Sequence, residues 1–410
     1  MNEWKEVSLS EMGKTITGKT PSSQHPEDFG DEMPFITPSD SFEKKYINKS
    51  DRFLSRSGSD RLKEKIISPN SIMVTCIGSA MGKVAKNSLS SVTNQQINSI
   101  IVNENFDSDY IYYLLKNNYA VLRNAASGST AIPILNKTDF DNLRFKVELN
   151  LNEQRKMVSI LSTIDDKIET NNQINQELEA MAKTLYDYWF VQFDFPDQNG
   201  KPYKSSGGKM VYHPELKREI PEGWGVEKLE NIANITMGQS PKGTSYNEVG
   251  EGMFFFQGST DFGWRFPVAR QYTTEPSRIA EEDDILLSVR APVGTLNIAD
   301  TRCCIGRGLA AINSKVGANS YIFNVMQDFK KLFDMMNSVG TTFGSITKDD
   351  LYSLKLIYPP NELLMKFDKS VNSFDREIKN RSRQNQELSQ LRDWLLPMLM
   401  NGQVKVEDKT

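Results

Sequence analysis

Two stretches of the chain place mostly apolar residues in alternating steps of four and three. The first runs Met157, Leu161, Ile164, Ile168, Asn171, Asn175, Leu178, Ala182, Leu185 and Trp189. About 210 positions later the same rhythm returns as Phe367, Val371, Phe374, Ile378, Arg381, Asn385, Leu388, Arg392, Leu395 and Leu399. A step pattern of this kind, held for about four and a half heptads, predicts a long helix with one apolar seam. Two such helices can bury their stripes on each other, with Leu161, Ile164, Ile168, Leu178 and Leu185 facing Phe374, Ile378, Leu388 and Leu395. Asn175 and Asn385 belong to the tetrapeptide NQEL, which occurs in both stretches. At a seam, asparagine costs stability and fixes register, so these two residues are expected to specify the pairing. Arg392 is the awkward position, with Leu391 beside it.

Ahead of each helix the pattern changes. Short apolar runs such as "SIMVTCIG" (Ser71 to Gly78) and "DILLSV" (Asp284 to Val289) are broken by Gly, Pro, Asn and Ser. They predict short strands joined by many loops, hence mixed α/β (α+β) domains. The halves also repeat each other. "EWKEVSLSEMGKTITGKTP" from Glu3 aligns without a gap on "GWGVEKLENIANITMGQSP" from Gly223, and "GSTAIPILNKTDFDNLRF" from Gly128 resembles "GTTFGSITKDDLYSLKL" from Gly340. The middles share little. A repeat this long is a duplicated domain rather than a solenoid. The expected division is 1–151 and 223–360 for the two mixed domains and 152–193 and 361–410 for the helices. The Gly-, Pro-, Ser- and Lys-rich segment 194–222 is read as a linker.

Composition narrows the class. With 38% hydrophobic and 25% charged residues in 410, the chain is expected to be globular and cytoplasmic; no apolar run of bilayer length or secretory leader pattern is seen. Three cysteines, two of them adjacent, give neither a disulfide framework nor a metal knuckle. Catalytic signatures are sparse. The two histidines, His25 and His213, lie in proline-containing stretches without a nucleophile motif. "GSAMGKV" (Gly78 to Val84) lacks the spacing and the hydroxyl of a phosphate-binding loop. "IGRGLA" (Ile305 to Ala310) is half of a dinucleotide fingerprint. "YPPN" (Tyr358 to Asn361) holds, out of order, the residues of the loop with which adenine methyltransferases grip their target amino group. It falls where a strand should give way to a helix, and is read as a stop. No catalytic residue and no metal site are expected.

Binding residues are easier to find. The net charge is −4, yet Asp40 to Lys86 carries ten Lys and Arg against five Asp and Glu, the local excess that phosphate contacts need. Lys19, Lys44, Lys45, Lys49, Arg52 and Lys83 are the candidates in the first half. Lys242, Arg265, Arg290 and Arg307 are those in the second, arginine being suited to bidentate reading of guanine. Thr20, Ser129, Thr130, Gln239, Ser240, Thr341 and Thr342 come from polar loop stretches that offer hydroxyls, amides and backbone N–H groups. Double-stranded DNA is the expected ligand. The alternatives are a DNA adenine methyltransferase-like enzyme and a coiled-coil adaptor that binds no DNA.

This order of parts resembles the specificity subunit of type I restriction-modification systems over essentially the whole chain. The resemblance is carried by "LYDYWFVQFDFP" (Leu185 to Pro196), "NGKPYKSSGGKMVY" with "REIPEGW", "LLPMLMNGQVKV" (Leu395 to Val406) and the Trp-to-Pro opening of each half. It implies two target-recognition domains, each reading one half of a bipartite DNA sequence, separated by antiparallel spacer helices. It also implies docking of two modification (methyltransferase) subunits and the company of restriction/motor subunits. S-adenosylmethionine, ATP and Mg are then expected on those partners and not on this chain.

Overall fold

The computed structural model describes residues 4–125, 133–338 and 344–406. It forms two compact units, and neither is a continuous piece of chain. One comprises Met1–Thr170 with Asn385–Thr410, the other Asn171–Gln384. Each therefore owns part of both long helices, Leu151–Tyr186 and Asn361–Met400. The positions predicted from the heptads are buried or partly buried, Ile168, Leu178, Leu185, Phe374, Leu388 and Leu395 being partly buried. Met157, Leu161, Ile164, Asn171, Asn175, Ala182 and Trp189 are buried on the first helix, and Phe367, Val371, Ile378 and Leu399 on the second.

Within each unit the two helices meet antiparallel. In the first, Arg392 reaches Asp165 at 2.9 Å, and the Asn385 side-chain amide donates to the Ile168 carbonyl at 3.5 Å. In the second, Asn171 donates to Gln384 at 2.8 Å and accepts from Arg381 at 3.1 Å, while Asn175 donates to Ser382 at 3.3 Å. The partner's number falls as the residue number rises, which is the antiparallel order. Each asparagine bonds to whatever polar group lies opposite. Arg392, the misfit of the pattern, is the partner of a seam-edge aspartate.

Each mixed domain holds two larger sheets with the same strand order, beside a two-stranded pair, Trp4–Ser8 with Arg144–Glu148 in the first and Gly225–Lys228 with Lys355–Tyr358 in the second. In the first unit one sheet runs in the spatial order Phe29–Gly30, Phe53–Leu54, Met33–Ile36, Ser91–Thr93, Ile66–Ile67. The other is Gly13–Thr17, Ile97–Val102, Ile72–Thr75, Val84–Asn87, Tyr46–Ile47. The second unit repeats the first order as Tyr246–Asn247, Tyr272–Thr273, Met253–Phe256, Cys303–Ile305, Ile279–Ala280. It repeats the other as Ala233–Met237, Leu309–Ser314, Ile285–Ser288, Leu296–Ile298, with no fifth strand among the described residues. The runs "IMVT" and "ILLS" are the central strands predicted for them, buried at every position because both faces are covered. Their cores continue onto the helices: Ile72 and Val74 cluster with Leu161 and Leu396, and Ile285 and Leu287 with Ala182 and Phe367.

The segment 194–222 differs from a slack tether. The first helix ends in a π-helical turn, Asp187–Val191, and a hairpin pairs Met210–His213 with Arg218–Pro221. Phe193 and Ile220 are buried in the second unit's core with Trp189, Phe190 and Trp224. Phe195 stacks on Trp224 with ring centroids 5.2 Å apart. Five aromatic rings held in contact outweigh the polar, glycine-rich composition of the chain between them.

Candidate nucleic-acid interface

The opening shared by the two halves has a steric reason. A Cβ on Gly18 would lie 2.2 Å from the Thr93 carbonyl oxygen, and one on Gly238 2.2 Å from that of Gly306. Neither site tolerates a side chain. The close approach lets the Gly18 N–H bond to Ile97, and the Lys19 N–H to Thr93; in the second unit Gly238 bonds to Leu309 and Gln239 to Ile305. The next residue then reaches the loop between the last two strands. The Thr20 hydroxyl donates to the Gln95 side-chain carbonyl at 2.6 Å, and the Ser240 oxygen accepts from the Arg307 N–H at 3.4 Å.

In the second unit this loop borders a cleft of about 540 Å³. Gln257, Arg270, Gln271, Arg290 and Arg307 line it. Arg270 is bonded to Asp261 at 2.9 Å. Arg290 and Arg307 are exposed, and among the described residues neither guanidinium has an ion-pair partner. Two uncompensated arginines beside amide side chains make a surface able to take anions or the acceptor edges of bases. Gln239 is exposed nearby in the chain, and Lys242 is exposed with Glu275 at 3.7 Å.

Not every predicted cation is available. Arg265 is 6% exposed. Its guanidinium bonds Glu179 of the first helix at 3.0 Å and Asp375 of the second at 2.7 Å, with the Phe323 ring 4.1 Å away. Its expected role on DNA is corrected: it fastens the second mixed domain to both helices. Lys45 is also turned inward, bonding Asp109 and Ser162 at 2.9 Å each. Lys44 pairs with Glu169 of the helix at 3.0 Å, and Lys83 with Glu43. Lys19 and Lys49 are exposed, as is Arg52, whose guanidinium stacks 4.0 Å from the Phe29 ring centroid. Ser129, Thr130, Thr341 and Thr342 lie outside the described residues.

The buried charge node of the first unit was missed in the sequence. Lys86 is 1% exposed and bonds Asp109, which also takes Lys45. Burial lowers the Lys86 ammonium pKa. For Asp109 burial acts upward, but the two lysines outweigh it and hold the carboxyl below its usual value. Lys86 reads in sequence as one more surface lysine of a basic stretch. Burial also pushes the Cys76 and Cys303 thiols up to about 12, the state of inert core cysteines. "YPPN" ends the strand Lys355–Tyr358 and starts the helix at Asn361, with the Tyr358 hydroxyl donating to Asn361 at 2.7 Å.

Comparison with known proteins agrees with this layout. The model of the type I restriction modification DNA specificity domain matches residues 1–180 and 221–390. The MjaX type I restriction enzyme specificity subunit of Methanocaldococcus jannaschii is 33% identical over 307 residues, covering 73% of this chain and 68% of that one. The MjaIX specificity subunit of the same organism is 28% identical over 99% of this chain and 94% of its own. A crystal structure of a type I restriction-modification S subunit from M. genitalium superposes with a TM-score of 0.61 at 17% identity, over 100% of this chain and 97% of that one; the two share the fold. With two copies of the matched domain, each including most of its long helix, the chain belongs to the type I restriction-modification DNA specificity family.

Proposed function

We propose that this protein is the non-catalytic DNA-specificity subunit of a type I restriction-modification complex. Each mixed domain reads one half of a bipartite target, and the paired helices carry two modification subunits, with restriction/motor subunits joining them. S-adenosylmethionine, ATP and Mg belong to those partners. One observation carries the reading: the same backbone scaffold occurs twice with different side chains on the same loops. An enzyme needs one constellation of reactive groups; a reader of two unlike half-sites needs one scaffold carrying two sets of contacts. The exposed arginines and lysines supply the phosphate and base contacts that such a reader makes.

The test is genome-wide adenine methylation in a host carrying the modification subunit, with and without this chain. The reading predicts a two-part motif with a fixed gap, present only when this chain is expressed. The purified chain with S-adenosylmethionine and DNA should transfer no methyl group. Methylation by the chain alone, or an unchanged methylome, would contradict the proposal.

A further inference from the structure

The middles of the two halves cannot be aligned by sequence, but their backbone hydrogen bonds align them residue by residue. Cys76 N–H bonds Gln96 and Leu135 N–H bonds Cys76, as Val289 N–H bonds Gly308 and Ile346 N–H bonds Val289. The bridge between Ile77 and Ile134 recurs between Arg290 and Ser345. Asn94 N–H bonds Ile36, as Gly306 N–H bonds Phe256. The parallel strand pair Phe35–Val92 and Ile36–Thr93 recurs as Phe255–Cys304 and Phe256–Ile305. These correspondences fix Ile77 on Arg290, Gln95 on Arg307 and Thr37, which follows Ile36, on Gln257. The hydroxyl contacts of Thr20 with Gln95 and of Ser240 with Arg307 agree independently.

Three positions therefore occupy equivalent places in the hydrogen-bond register and carry different chemistry. In the second unit Gln257, Arg290 and Arg307 line one cleft, and both arginines are exposed without an ion-pair partner among the described residues. In the first unit the same places hold a hydroxyl, an aliphatic side chain and an amide. Residues that maintain the scaffold keep their type across the repeat, as Gly18 and Gly238 do and as Pro21 and Pro241 do. These three do not.

We propose that Thr37, Ile77 and Gln95 in the first domain and Gln257, Arg290 and Arg307 in the second are the base-reading positions of the two domains. The proposal rests on the DNA-specificity reading above and adds which residues set the sequence. Arginine donates two parallel hydrogen bonds to the O6 and N7 of guanine, glutamine pairs bidentately with adenine, and an aliphatic group meets the thymine methyl. The second half-site should thus require guanine where Arg290 and Arg307 reach it. The first should depend on adenine and thymine contacts at the corresponding places.

The experiment uses the chain assembled with its modification subunits, and oligonucleotides substituted one base pair at a time across the motif found with the unaltered chain. R307Q, which installs the first domain's residue, should reduce discrimination at one G·C pair of the second half-site by about tenfold to a hundredfold. The first half-site should be unaffected. The reciprocal Q95R should alter one position of the first half-site alone. If R307Q and R290Q keep full discrimination at every position, the assignment is wrong. It is equally wrong if they weaken all sequences evenly, lower the salt dependence, and recover with R307K, since that is a phosphate contact. A different result, no two-part motif with the unaltered chain, would remove the parent reading and this assignment with it.

Discussion

Arg265 shows how a single residue can change its meaning between sequence and structure. As one of several scattered arginines in an acidic chain it reads as a DNA contact. Folded, it is clamped between Glu179 and Asp375, which lie 86 and 110 positions away in the sequence. No local pattern announces partners that distant. R265A leaves two carboxylates without their counter-charge. Because both are partly exposed, the cost should be roughly 2–3 kcal/mol, short of the 3–5 of a fully buried pair. Urea unfolding would measure it, and the salt dependence of DNA binding should not move. The exposed cations should behave in the opposite way. Replacing Lys19 and Lys49 with Ala should leave stability nearly unchanged and reduce the slope of log affinity against log salt by about one per lost phosphate contact. An equal loss of slope for K45A would mean that Lys45 leaves Asp109 and Ser162 to meet DNA. Gln95 was missed for a related reason: its importance lies in its equivalence with Arg307, and only the strand registers supply that.

At the level of elements, the long helices were the most legible part of the molecule. A heptad seam is a local, repeated signal, and it locates Leu161 and Phe367 in the core without tertiary knowledge. The partner of Asn171 was not legible, because the heptad fixes which face is buried and leaves open what lies across from it. Four residues inserted after Thr170, matched by four after Gln384, would keep the antiparallel partners in step and nearly preserve the apolar face. The added length is about 6 Å at 1.5 Å per residue, or one to two base pairs at about 3.4 Å each. The methylated motif of this double insertion should keep both half-sites and widen the gap by that amount. A gap of unchanged length in an active complex would show that the helices do not set it.

Across the whole molecule, the duplication was visible in sequence only at the edges of each half, where glycine and proline hold the scaffold. The middles diverge at exposed loop positions such as Gln95 and Arg307, while the strands beneath tolerate any apolar residue of suitable size, as Val92 and Cys304 illustrate at one register position. The central claim is that the two mixed domains specify two halves of one target independently. Exchanging residues 223–360 for the corresponding domain of a relative, then determining the methylated motif in the host genome, tests it most directly. The account predicts that one half of the motif is replaced by the relative's and the other is retained. A motif altered in both halves, from a complex that still assembles and methylates, would contradict it.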